Sequence, residues 1–144
     1  MEISLEQLDQ VTDDSVEAFG KLLPQLSGSA KPVDAETLRE IVASPAVTIL
    51  VARNEGTIVG TLSLVMFRIP TGVRAWIEDV VVDAAAGGQG IGKALVREAL
   101  RLAEAGGART VDLSTRPSRV AAGNLYERVG FQQRDTRIYR YVPG

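Results

Sequence analysis

The chain of 144 residues has no cysteine and no histidine. Without cysteine it forms no disulfide, offers no thiol nucleophile and holds no thiolate-bound metal. Without histidine, a Ser-His-Asp triad, an imidazole base and a His-ligated zinc are all excluded. Basic charge is not in excess either. The net charge is −2, the pI is about 5.2, and no basic stripe stands out, which argues against a nucleic-acid partner. No apolar run reaches membrane-spanning length. The start, Met1-Glu2-Ile3-Ser4, lacks a basic region followed by an apolar core, so it does not read as a signal peptide. The expectation is a cytoplasmic protein with no membrane partner.

What is present is ordinary for a globular protein: 45% hydrophobic and 24% charged residues. The length suits one domain, residues 1–144, with a single core. Repeats, low-complexity segments and linkers are missing. The pattern predicts a strand over Glu2–Leu8 and a helix over Val11–Leu23, with Asp13, Asp14 and Ser15 as cap candidates. A Gly/Ser/Pro loop over Pro24–Pro32 follows, then a short helix over Asp34–Val42 with Asp34 as its cap. Strands are expected over Val47–Ala52, Thr57–Phe67 and Trp76–Val82. The first two are joined by the hairpin signal Asn54-Glu55-Gly56, and Ile69–Val73 is a second turn. A helix from Ile91 is stopped by Gly106-Gly107, Thr110–Ser114 is a strand, and Ser118–Val129 is a helix stopped by Gly130. Phe131–Gln133 and Thr136–Val142 are expected to form a final strand pair. The order β-α-α-β-β-β-α-β-α-β-β implies an α/β fold, a mixed sheet with helices on its faces.

The most informative stretch is Gly87-Gly88-Gln89-Gly90-Ile91-Gly92-Lys93. It follows a strand-like run and opens a helix-like run. Glycine lets backbone N–H groups approach a ligand closely. A helix N-terminus adds unsatisfied donors and a partial positive charge. Together these make a cradle for phosphate. The bland alternative is a strand-to-helix turn that needs glycine only for tight packing. A second alternative is a P-loop, since Gly87 and Gly92-Lys93 have its spacing. Ala94 stands where that motif needs a hydroxyl for Mg²⁺, and the loop follows two hairpin signals rather than a first parallel strand.

Glu78 and Asp79 interrupt the apolar strand before this loop. In a regular strand they point to opposite faces, and a carboxylate there is costly unless solvated or paired. One reading is structural, a carboxylate at a splayed edge and another paired with a basic residue. The other is a general base. In a chain without histidine, a carboxylate whose pKa is raised by partial burial is the natural candidate, and both Glu78 and Asp79 are open to that role.

Ile77-Glu78-Asp79-Val80-Val81-Val82-Asp83, followed by Gly88-Gln89-Gly90-Ile91-Gly92-Lys93-Ala94-Leu95, resembles motif A of the GNAT superfamily of N-acetyltransferases. Ala121-Ala122-Gly123-Asn124-Leu125-Tyr126-Glu127-Arg128-Val129-Gly130-Phe131 resembles its motif B. The β-α-α-β-β-β lead-in also fits, so the resemblance covers nearly the whole chain. One position departs: the family usually has Arg or Gln where this chain has Gly87.

The resemblance implies an acyl-CoA N-acyltransferase fold, with a mostly antiparallel mixed sheet, and acetyl-coenzyme A (acetyl-CoA) as cosubstrate without a metal. Backbone donors of Gly87, Gly88, Gln89, Gly90, Ile91, Gly92 and Lys93 would hold its pyrophosphate. Donors along Val80, Val81 and Val82 would polarise the thioester carbonyl, and Asn124 would contact the pantetheine arm. Glu78 would act as the base toward an amine acceptor, and the Tyr126 hydroxyl would protonate the departing thiolate. Against these stand plainer roles: ring packing beside Ala122 and Val129 for Tyr126, a solvent-facing helix position for Asn124. Arg116, Ser118 and Arg119 would either reach a phosphate or simply flank the helix start. With no cysteine for an acetyl-enzyme, transfer would be direct, in a ternary complex. A non-catalytic acyl-CoA binding or sensing domain is the alternative from another class. Dimers are frequent among similar proteins, so a homodimer is one expected assembly. The acceptor itself is not named by the sequence.

Overall fold

Five runs rich in Val, Ile, Leu and Thr pair into one sheet, in an arrangement that leaves a parallel gap for a helix crossover. A computed structural model describes residues 2–144, which divide into a unit ending at Ser114 and a unit running Thr115–Gly144.

In the first unit the strands are β1 (Ile3–Gln7), β2 (Val47–Asn54), β3 (Thr57–Ile69), β4 (Gly72–Val82) and β5 (Thr110–Asp112). They lie in the order β1-β2-β3-β4-β5. The first three pairings are antiparallel and β4–β5 is parallel. Parallel neighbours need a crossover, and α3 (Ile91–Ala105) provides it. Between β1 and β2 run α1 (Asp13–Leu26) and α2 (Ala35–Ala43).

The starts of α1 and α2 are each set by a side-chain cap. Thr12 caps α1 in a box with Ser15, so Ser15 works from inside the first turn rather than ahead of it. Asp34 accepts from the Thr37 N–H at 2.8 Å and caps α2 as expected. The expected loop from Pro24 is corrected at its start, because α1 continues to Leu26. Proline removes one helical donor. Leu26 packs against the core beyond it, and the Gln25 amide donates to the Lys21 carbonyl at 3.2 Å.

The two sheet faces carry two halves of the core. Phe19, Leu22 and Leu38 from α1 and α2 cluster with Ile49, Val51 and Val81. On the other face α3 buries Ile91, Leu95, Val96, Ala99 and Ala103. A Cβ at Gly60 would lie 3.3 Å from Ile91 Cγ2 and Leu95 Cδ1, so helix and strand approach as closely as a glycine allows. Leu62, Leu64 and Ile77 share this face by strand alternation and register. Each fully buried leucine here contributes about 1.5–3 kcal/mol.

The second unit contains α4 (Val120–Arg128). It ends in a Schellman turn: the Phe131 N–H bonds the Tyr126 carbonyl at 3.0 Å, and Gly130 takes φ +110°. The expected strand pair over Phe131–Gln133 and Thr136–Val142 is not found in this unit taken by itself. Gln132, Gln133, Arg134 and Asp135 give the segment no apolar stripe to bury, and Ile138, Tyr139, Tyr141 and Val142 are exposed. A strand exists only with a ladder partner.

Candidate functional site

Strand β4 is regular up to Glu78 and then breaks step. Ser63 pairs with Glu78, but Thr61 pairs with Val81. Two residues, Asp79 and Val80, therefore stand opposite one, Leu62, which defines a β-bulge. Asp79 takes φ +51°, a backbone region that non-glycine residues seldom occupy. The bulge reverses the alternation. Ile77 packs toward α3, whereas Val81, of the same parity, joins the α1/α2 cluster. Glu78 and Asp79 are both exposed. The partial burial expected for Glu78 is therefore absent. Its carboxylate is held instead by the Trp76 indole N–H, which donates to Oε2 at 2.8 Å. Residues i and i+2 of a strand share a face, so this bond follows from local geometry. Bulged residues leave ladder groups unpaired, which provides spare backbone polarity along Val80, beside Val81 and Val82.

Beyond β4 the chain turns through Asp83, which caps the short 3₁₀ turn Ala84–Ala86. Asp83 is buried, and its carboxylate has three partners, two side chains and one backbone N–H. Lys21 Nζ lies 3.0 Å from Oδ2, the Ala85 N–H donates to Oδ1 at 3.1 Å, and Gln25 Nε2 donates to Oδ1 at 3.4 Å. The Lys21 ammonium, with the Ala85 and Gln25 donors, holds this carboxyl below the ordinary value near 3.8. The same Gln25 accepts from the Ala84 N–H at 2.9 Å. The last turns of α1 are thus tied to the start of the glycine loop. Reading the sequence alone missed this network. The only trace was Lys21 and Gln25 at helical i,i+4 spacing, which names no partner far along the chain.

The glycine loop itself is exposed from Gly87 to Gly90. Gly88 and Gly90 have φ +80° and +74°, and a Cβ at either would meet nothing within 4 Å. Glycine at these two positions serves backbone conformation and not packing. Gly90 is the N-cap of α3, with no side-chain cap bond and no acid in the first turn. The helix therefore presents free N–H donors around Ile91, Gly92 and Lys93 to open space, with its dipole uncompensated. An anion fits that arrangement. Gly87 has an ordinary extended conformation, so the missing Arg or Gln side chain is not forced by backbone strain.

In the second unit, Tyr126 is half-buried on α4, its ring edge-on to Phe131 with centroids 5.9 Å apart and planes at 67°. Burial pushes its hydroxyl above the ordinary value of 10.0, with a smaller opposite pull from Arg119. It therefore holds its proton across neutral pH. Asn124 is exposed on the same helix, and its carbonyl accepts from Arg128 Nε at 3.4 Å. Arg119 stands at the N-cap position of α4 without a side-chain cap bond, and its N–H bonds the Arg116 carbonyl at 2.9 Å. Among the described residues no helix is long and apolar enough to cross a membrane.

Comparison with solved structures finds the same fold repeatedly. A candidate acetyltransferase from Agrobacterium tumefaciens str. C58 is 27% identical, with a TM-score of 0.86 over 96% of this chain and 99% of that one. Glucosamine-6-phosphate N-acetyltransferase from Arabidopsis thaliana is 24% identical, with a TM-score of 0.84 over 99% and 100%. An aminoglycoside acetyltransferase from an uncultured soil metagenomic sample is 20% identical, with a TM-score of 0.84 over 98% and 95%. Comparison with curated proteins finds no match. The model of the acetyltransferase (GNAT) family matches residues 8–131, from the end of β1 to the turn after α4. The bulged strand, the glycine loop and the helix start all lie inside that span, and the chain belongs to the GNAT acetyltransferase family.

Proposed function

We propose that this protein transfers the acetyl group of acetyl-CoA directly to a primary amine. The observation that carries the reading is the run from the β4 bulge through the glycine loop to α3. It joins spare ladder groups, an exposed carboxylate and an uncapped helix N-terminus within a short stretch of chain. Backbone donors from Gly88 to Lys93 bind the pyrophosphate, the Gly87 N–H being spent on the Ala84 carbonyl at 3.2 Å, and donors along Val80 to Val82 polarise the thioester carbonyl. Glu78 takes the amine proton, directly or through water. The amine nitrogen forms a C–N bond to the acetyl carbon as the C–S bond breaks. Tyr126 gives its proton to the departing thiolate, and Asn124 contacts the pantetheine arm. The raised Tyr126 pKa supports an acid that is protonated when needed.

The family match spans both units, which supports treating residues 1–144 as one acetyltransferase domain. The proposal includes a cytoplasmic location, neither nucleic acid nor membrane as partner, no metal, and a homodimer as the assembly to test. A non-catalytic acyl-CoA sensor would need neither Glu78 nor Tyr126. A screen of amines that follows release of the coenzyme A thiol decides between the two. Sustained release with an acceptor supports the enzyme, and tight binding without turnover supports the sensor. Glucosamine 6-phosphate and an aminoglycoside belong in the screen, because two structural relatives are acetyltransferases for such amines.

A further inference from the structure

The face of β4 that carries Glu78 continues toward the β3–β4 turn as a row of three side chains. Arg74, Trp76 and Glu78 stand at i, i+2 and i+4, before the bulge, and so share one face. The row spans about 13 Å at the rise of a strand. Val65 and Phe67 of β3 lie opposite Trp76 and Arg74. Phe67 is 40% exposed, so α1 and α2 do not cover this end of the sheet. On the other side Asp112 of β5 lies opposite Trp76.

The charges along this face are separated. Glu78 makes one end acidic, and Asp112 adds a second carboxylate level with Trp76. At the other end the Arg74 guanidinium bonds only hydroxyls, Thr71 Oγ1 at 3.0 Å and Thr110 Oγ1 at 3.4 Å. It forms no ion pair with any described carboxylate. Two of its five N–H donors are used, which leaves three for a ligand. Between the charged ends lies an aromatic and aliphatic floor.

We propose that this face selects the acceptor, and that the acceptor is a primary amine joined through an apolar stretch to an anionic end. The ammonium end sits by Glu78, on the side toward Asp112, the apolar stretch lies over Trp76 and Phe67, and the carboxylate or phosphate end pairs with Arg74. Once the amine has lost its proton, its nitrogen bonds the acetyl carbon and coenzyme A leaves as the thiol. This inference rests on the acetyltransferase reading above. A neutral amine lacks the Arg74 contact, and a diamine or polycationic aminoglycoside brings a second positive charge to the guanidinium.

The test compares ω-amino acids from 4-aminobutyrate to 12-aminododecanoate with the diamine and the monoamine of each length. Glucosamine 6-phosphate and sisomicin extend the set to a sugar phosphate and a polycation. The ratio of kcat/KM for the ω-amino acid over the diamine should reach about tenfold or more at the best length, as expected for one charged hydrogen-bonded contact. Arg74→Gln should bring that ratio close to one, and Arg74→Lys should restore part of it. A preference for diamines or sisomicin, a ratio near one in the unmodified protein, or an Arg74→Gln variant that keeps the ratio overturns the proposal. Calorimetry with acetyl-CoA separates the two layers. Acetyl-CoA binding with turnover of the wrong amines, or of none of these probes, defeats the acceptor assignment alone. No binding defeats the acetyltransferase reading itself.

Discussion

Lys21 and Asp83 meet at 3.0 Å, linking the second half of α1 to the residue that opens the glycine loop. Gln25, one turn further along α1, bonds both the Asp83 carboxylate and the Ala84 N–H. The segment that leads into the glycine loop is thus held in place from α1. Removing the Gln25 amide should loosen the loop without touching the reacting atoms. Gln25→Ala is expected to raise KM for acetyl-CoA several-fold with little change in kcat, a split read from steady-state kinetics. The exposed Lys21 end of the pair is solvent-screened and contributes little alone.

The same network sets a pH dependence. The folded-state pKa of Asp83 is depressed, so its stabilising contribution is present above the unfolded value near 3.8. That contribution is lost as pH falls through the lower folded value. Asp83→Asn should therefore lower stability at pH 7 by about 1–3 kcal/mol, the cost of a buried charged hydrogen-bonding group losing its best partner geometry. The difference between the two proteins should shrink below pH 4. Urea denaturation at pH 7 and pH 3 measures both.

Much of this architecture was legible in the pattern. The Asp34 cap, the Asn54-Glu55-Gly56 turn and the stop at Gly106 are each local, so sequence signals alone place them. The glycine loop was legible for the same reason, since φ near +75° at Gly88 and Gly90 is a demand on single residues. The β4 bulge was not. It arises because Ile77 and Val81 must bury on opposite faces, and only the assembled sheet with its helices sets that requirement. The Asp83 network was hidden because its partners lie far apart in the chain. The C-terminal strand pair was misread because apolar residues such as Ile138, Tyr139, Tyr141 and Val142 do not themselves supply a ladder partner.

If Glu78 removes the amine proton, Glu78→Gln keeps the Trp76 contact and loses the base. Its kcat should fall by about 10²–10⁴-fold, while calorimetry shows acetyl-CoA binding almost unchanged. Trp76→Phe, which leaves the carboxylate without its orienting donor, should give a smaller fall in kcat. A Glu78→Gln rate within threefold of the unmodified enzyme would move the role to Asp79 or to water.

Tyr126→Phe preserves the edge-on packing with Phe131 and removes only the hydroxyl. Thiolate departure needs modest help, since a free thiol already has a pKa of about 8.5. A fall in kcat of roughly 10- to 100-fold is expected, at the low end of general-acid effects, with acetyl-CoA affinity nearly intact. Turnover at the unmodified rate would make Tyr126 a packing residue and turn attention to Tyr139 and Tyr141.

The most direct measurement is calorimetric titration of acetyl-CoA into the unmodified protein and into Gly90→Glu. The added side chain places bulk and negative charge at the uncapped start of α3, where the pyrophosphate is proposed to sit. Gly56→Glu serves as the control, because Gly56 has a similar φ of +88° and open space, but lies in the β2–β3 hairpin. Binding by the unmodified protein and by Gly56→Glu, with affinity nearly abolished in a folded Gly90→Glu, is the predicted result. Equal affinity in all three, or no binding by the unmodified protein, would contradict the account.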